Sequence, residues 1–201
     1  MSLLLAAVGL LDLLVALPPL PPTDGWKVAS RAEGIVAATA PSGLIGPWGS
    51  AEGVVAAPLD EVLAHLTDFA ALPREVPRLA EVRVIRRAEG EAIVYFRIDL
   101  PWPISDRDYT ARYRWGPLPD GGARLVIDDA DDQGPPPGKA VRVRLVRGTW
   151  DLHPSPSGGT AVRHVLLMDL GGWLTRSIVE QTAWKQPLES IKGVRRAVER
   201  R

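Results

Sequence analysis

The sequence predicts an α+β fold in which a curved antiparallel sheet is covered by a long C-terminal helix. Three observations carry this. Between residues 81 and 169 the hydrophobic period is two, in short runs rich in β-branched and aromatic residues separated by Gly- and Pro-containing turns. Helical spacing occurs in only two places, 59–71 and beyond 171. Strands do not alternate with helices as a parallel sheet demands, and no internal repeat is visible.

Taken in order, the folded unit starts near Trp26–Val36. "SAEGVVAAP" (50–58) reads as a strand of small and β-branched residues between Gly49 and Pro58. Pro58 stands where a helix begins, with Asp60 and Glu61 in the first turn, where the helix dipole favours acids. Val62, Leu63, Leu66, Phe69 and Ala70 give 59–71 an apolar face, and "LPREVPRL" breaks it with two prolines. "EVRVIRR" (81–87) and "AIVYFRIDL" (92–100) alternate as a hairpin about "AEGE". "RDYTARYRW" (107–115) and "ARLVIDD" follow, joined by the turn "PLPDGG". After the polar loop "ADDQGPPPGK" (130–139), "AVRVRLVRGTWDLHP" and "TAVRHVLLMDL" read as two more strands joined by "SPSGG". The closing stretch reads as a helix with Leu174, Ile178, Leu188, Ile191, Val194 and Val198 on one stripe and a kink or break at Pro187.

Composition narrows the function. The 201 residues carry 24 basic and 24 acidic side chains, a net charge of zero that argues against a nucleic-acid partner. With no cysteine, disulfides, thiolate metal sites and a Cys nucleophile are excluded. Residues 1–22 form an apolar leader, Leu3–Leu17 interrupted by Gly9 and Asp12 and ending in "LPPLPP". It has the length of a signal-peptide core but lacks the basic start and a small-residue cleavage site. It reads as a signal peptide or membrane-proximal anchor, or else as a short helix packed on the domain. The first reading places the protein in the periplasm or outside the cell, the second in the cytoplasm. The domain itself is taken as 23–201.

The inventory of reactive groups is thin. The three histidines, His65, His153 and His164, are not at metal-ligand spacing, so no metal or cofactor is expected. No nucleophile elbow, phosphate loop or dinucleotide fingerprint is present. Strand alternation places Val94, Phe96, Ile98, Tyr109, Tyr113 and Trp115 inward, with Arg97, Asp99, Arg112 and Arg114 making charge pairs outside. Val162, His164, Leu166 and Met168 share a face, so His164 is either a satisfied core residue or a ligand contact. "SDRD" (105–108) admits two readings. Asp106 and Asp108 flank Arg107 as an acid/base pair, or Asp106 caps a turn while Arg107 and Asp108 lock the start of a strand. No further acid, nucleophile or His lies nearby to complete a mechanism.

At this point the motifs match a known family. "RDY" (107–109) opening a strand, "RGTWDLHP" as a penultimate strand and "DLGGWLTRSIVEQ" (169–181) leading into the last helix resemble the START (steroidogenic acute regulatory protein-related lipid transfer) domain of the helix-grip superfamily. Together they span about residues 26–199, with Arg107, Asp108, Asp169 and Trp173 as the motif residues. The resemblance implies a helix-grip fold with a hydrophobic tunnel between sheet and C-terminal helix, closed by a mobile loop at 128–139. It implies reversible binding of a lipid, sterol or similar apolar molecule, with no cofactor; a transient membrane contact is a separate expectation. The basic cluster Lys192, Arg195, Arg196, Arg200 and Arg201 is placed to meet anionic headgroups or, alternatively, to complement the helix dipole. Phe96, Ile98, Tyr109, Tyr113, Leu145, His164, Leu166, Met168 and Ile178 are the expected lining, with His164 and Tyr113 as polar handles. One departure stands out. Steroid-handling relatives carry an acid and a base facing each other in the tunnel, and the matching positions here hold Val94 and Tyr113. The alternative to a binding protein is an enzyme of the polyketide cyclase/aromatase type, which shares the scaffold.

Overall fold

Nine strands pair along one path to form a single sheet, and a tenth joins it from outside that path. The structure is a computed structural model and describes residues 21–44, 46–76, 78–171 and 182–199. Nearly all of the leader therefore lies outside the described residues, as do Trp173, Leu174 and Ile178. The strands are β1 (Lys27–Ala32), β2 (Ile35–Ala40), β3 (Trp48–Val55), β4 (Leu79–Ala88), β5 (Glu91–Ile98), β6 (Arg107–Pro117), β7 (Ala123–Asp129), β8 (Val141–Arg142), β9 (Leu145–Pro154) and β10 (Thr160–Asp169). The order along the main path is β1-β2-β3-β10-β9-β7-β6-β5-β4, all neighbours along it are antiparallel, and β8 pairs with β6 in parallel. Helices α1 (Leu59–Leu66) and α2 (Leu72–Glu75) connect β3 to β4, and the C-terminal helix runs over Lys185–Val198.

The expected elements appear with three physical adjustments. Helix 59–71 stops at Leu66, where the Thr67 hydroxyl donates back to the Leu63 and Ala64 carbonyls at 3.0 and 3.2 Å. "LPREVPRL" still makes one short helix, because Pro73 stands in its first turn, where no N–H is needed. The single strand expected over 140–154 divides at Val143–Arg144. There the Val143 N–H donates to the Asp108 carbonyl and the Arg144 N–H to the Asp169 carbonyl. Pro187 marks the expected break: residues 183–184 form a turn and the helix restarts at Lys185, with Pro187 in its first turn, where the missing donor costs nothing.

The C-terminal helix buries Leu188, Ile191, Val194 and Val198 against the sheet's inner face. Each such side chain contributes roughly 2 kcal/mol. Gly49 of β3 lets the chain approach closely: a Cβ there would run into the Ala183 carbonyl. Charges then fasten the far end. Lys192 Nζ meets Glu33 Oε1 at 2.9 Å, and Arg195 Nε donates to the Val54 carbonyl at 2.9 Å. Glu199 Oε1 accepts the Ala56 N–H at 2.8 Å. Two members of the C-terminal basic cluster are thus committed to the domain itself.

The sheet is buried on both faces over part of its area. The inner face carries the main core, including Ala92, Val94, Phe96, Tyr109, Ala111 and Trp150. A smaller cluster of Ala40, Trp48, Val165 and Leu167 lies on the outer face, with Trp26 and Leu145 packed against it.

Candidate ligand cavity

Beneath the C-terminal helix the sheet's inner face opens into a cavity of about 400 Å³. Alternation decides which side chains reach it. From β5 and β6 come Phe96, Ile98, Tyr109 and Tyr113, and from β10 His164, Leu166 and Met168. All seven were legible as inward-facing from the sequence. Leu145, expected in the lining, is not part of it. It shares a face with Arg147 and Asp151 and packs into the outer cluster, while Val146 and Trp150 of β9 turn toward the cavity. Ile178, the ninth expected lining residue, lies outside the described residues.

Two further walls come from elements whose role the sequence did not disclose. Leu66, Phe69, Leu72 and Val76 close one side from the α1–α2 corner. Gln186, Glu189, Ser190 and Gly193 recur at helical spacing along the C-terminal helix and, with Arg196 and His65, form a polar rim. The walls are aromatic as well as apolar. Phe96 stacks on its cross-strand partner Tyr109 with centroids 4.9 Å apart, and Phe69 tilts against Tyr113 at 4.7 Å.

Inside, the polar atoms are uncharged at neutral pH. Burial pushes the Tyr109 and Tyr113 phenols above their ordinary range, Tyr113 further because Tyr109 is close. Burial likewise pushes His164 down to about 4, with a hydrogen bond to the Thr149 carbonyl offsetting part of the effect. Val94 and Tyr113 lie on this face in adjacent pairs, Val94 opposite Ala111 and Tyr113 opposite Ala92, and form no ion pair.

Of the motif residues, Arg107, Asp108 and Asp169 occupy the sheet's end and outer face, and Trp173 lies outside the described residues. Arg107, 1% exposed, donates to the backbone carbonyls of Leu170 at 2.7 Å, Gly171 at 3.4 Å and Ser105 at 2.5 Å. It thereby ties the start of β6 to the chain leaving β10. Asp169 Oδ1 accepts the Gly171 N–H at 3.0 Å in the same turn. Asp108 faces the other way and pairs with Arg142, while also accepting from the Tyr95 hydroxyl at 3.2 Å. Asp106 accepts from the Leu100 N–H and from Arg97. "SDRD" is therefore a corner lock. Its two acids are each engaged with a different arginine.

The loop expected to close the tunnel, 128–139, packs on the outer face instead. Asp131 Oδ1 accepts the Thr110 N–H at 2.7 Å, and Gly134 sits so close to the outward-facing Thr110 side chain that a Cβ would strike its hydroxyl. Gly138 and Lys139 line a second, polar depression of about 430 Å³ with Tyr95, Arg97, Asp106 and Asp108. No residue of 128–139 lines the inner cavity among the described residues. The odd/even parity of β6 is the reason, since Thr110 and Asp108 point away from Tyr109.

The START domain family model matches residues 22–201. The chain belongs to the START domain family. Its fold agrees with this START assignment. A STAR-related lipid transfer protein from Xanthomonas axonopodis superposes with a TM-score of 0.81 at 25% identity, over 88% of this chain and 99% of that one. Human StAR-related lipid transfer protein 5 follows at a TM-score of 0.77 and 19% identity, over 89% and 88% of the two chains. The Zhui aromatase/cyclase from Streptomyces shares the fold more loosely, at a TM-score of 0.55 and 18% identity over 77% of this START chain and 94% of its own. An uncharacterized protein of Pseudomonas aeruginosa is 29% identical over 126 residues, 61% of this chain and 60% of that protein's length.

Proposed function

We propose that this START domain binds one hydrophobic small molecule in the cavity between sheet and C-terminal helix and releases it chemically unchanged. The observation that carries the reading is the cavity itself, whose floor of Phe96, Ile98, Leu166, Met168 and Trp150 is apolar and whose inner polar groups, Tyr109, Tyr113 and His164, are uncharged beneath the polar rim. The Xanthomonas lipid transfer protein supports it, as the more similar of the two functional classes among the structural relatives. A cavity of about 400 Å³ lies in the range of small-molecule binding sites. Native mass spectrometry before and after organic extraction tests this. The expected result is a releasable apolar adduct. No adduct together with no uptake of apolar probes overturns it.

A cyclase-type activity is the second reading, favoured by Tyr109, Tyr113 and His164 meeting in one cavity. A bound compound recovered with an altered bond pattern after incubation decides for it.

The proposal extends to a transient membrane contact through the corner 99–106. Trp102 there is 93% exposed between two prolines, and a tryptophan at such a site fits the membrane–water boundary.

A further inference from the structure

We propose that the cavity selects ligands that carry a hydrogen-bond donor, and that Nε2 of His164 is the atom that reads it. The inference rests on the binding reading above and sharpens it to a ligand chemistry: an apolar body bearing a hydroxyl or N–H group.

The argument begins with a proton. His164 Nδ1 lies 3.0 Å from the Thr149 carbonyl oxygen. A carbonyl only accepts, so Nδ1 must carry hydrogen. The imidazole is 3% exposed with no carboxylate against it, and burial holds it neutral at physiological pH. A neutral ring protonated at Nδ1 leaves a bare lone pair on Nε2. No protein donor reaches that atom among the described residues, and the ring lines the cavity.

The orientation is fixed twice over. His164 and Trp150 are directly paired across β10 and β9, and their rings lie 4.1 Å apart and 7° from parallel. Turning the imidazole over would lose the Thr149 hydrogen bond, while tilting it would lose the stack. The other inner polar atoms do not impose the same requirement. The hydroxyls of Tyr109 and Tyr113 each both donate and accept, so they serve an ether or carbonyl as readily as an alcohol. Nε2 accepts only. An apolar ligand without a donor leaves it buried and unpaired, which penalises that ligand relative to its hydroxylated counterpart.

The test is calorimetric titration of the full chain with 2-naphthol, 2-methoxynaphthalene and naphthalene. We expect 2-naphthol to bind at least about tenfold more tightly than 2-methoxynaphthalene, and His164→Phe to abolish that preference while still binding naphthalene. Equal affinities in the wild type overturn the inference, as does a preference that survives in a folded His164→Phe protein. Failure of all three probes counts against the cavity reading rather than against the histidine. Nitrogen-15 NMR of histidine-labelled protein decides the second point without a ligand or a variant. The Nδ1-protonated neutral tautomer is expected at His164 at neutral pH. An Nε2-protonated ring or an imidazolium there overturns the proposal whatever the titrations give.

Discussion

Asp108 and Arg142 meet side by side, Nε to Oδ1 at 2.8 Å and the terminal nitrogen to Oδ2 at 3.2 Å, across the parallel contact of β6 and β8. The carboxylate is only 3% exposed, and the same arginine reaches the Pro135 carbonyl and Asp131. One ion pair therefore holds both a strand and the loop before it. Arg142→Met strands the carboxylate with only the Tyr95 hydroxyl, at an expected cost of about 3 kcal/mol in urea denaturation. The double variant Asp108→Leu/Arg142→Met is expected to lose less than Arg142→Met alone. Additive losses would show that the pair is not the source of the cost.

Gly193 offers a substitution that separates stability from binding. It sits in the C-terminal helix facing the cavity, and a Cβ there meets nothing nearer than an Arg196 nitrogen at 3.9 Å. Gly193→Leu removes a helix-interior glycine, so stability should rise by about 1 kcal/mol. The new side chain occupies the cavity, and uptake of an apolar probe should fall at least about tenfold, a gap that thermal melting and probe titration together measure.

His164 makes stability depend on acid in a defined sense. Its pKa of about 4 in the folded protein lies below the 6.5 of an exposed histidine. As pH falls, the unfolded chain takes up the proton first, so stability drops from pH 6.5 toward pH 4 and the loss levels off below that. The full span is worth about 3 kcal/mol. Asp129, pushed up to about 6 chiefly by burial, titrates in the opposite sense in the same range. The measurement is therefore the stability of wild type relative to His164→Phe, which should fall as the pH is lowered from 6.5 to 4. Parallel curves would mean that His164 titrates normally.

Trp102 tests the membrane contact. Trp102→Ala should leave folding stability within about 0.5 kcal/mol and reduce co-sedimentation with phosphatidylcholine vesicles. Because the contact is apolar, raising the salt should not abolish wild-type sedimentation. Unchanged sedimentation of the variant removes the corner from the proposal.

The strands and most of the cavity floor were legible because a period of two assigns every residue of a strand once one inward residue is known. Phe96, Tyr109, Tyr113, His164 and Leu166 followed directly. Leu145 departs from the expected lining because its parity on β9 places it on the outer face. Arg147 and Asp151 share its parity, and Gly148 and Trp150 mark the opposite face, so the signal was present. The α1–α2 corner was harder. Phe69 lies just past the end of α1, in a turn whose direction depends on tertiary packing rather than on local pattern. The rim residues Gln186, Glu189 and Ser190 read as a solvated helix face, and only the cavity opposite them gives that face another meaning. The loop 128–139 was placed by analogy, and its anchoring to Thr110 depends on a long-range contact that no local periodicity reveals.

The two rims of the sheet have a bearing on how the protein behaves in a crowded solution. An unpaired strand margin is a template onto which a second chain can add. Here β1 breaks register between Val28 and Ser30, and β4 does so between Leu79 and Glu81 and again between Val84 and Arg86. Lys27 and Arg31 punctuate the first margin, and Arg83, Arg86 and Arg87 the second. A neighbouring molecule would find an irregular ladder studded with like charge at either side. A sheet that must keep an apolar hollow on its inside is thereby a poor seed for stacking with its own copies.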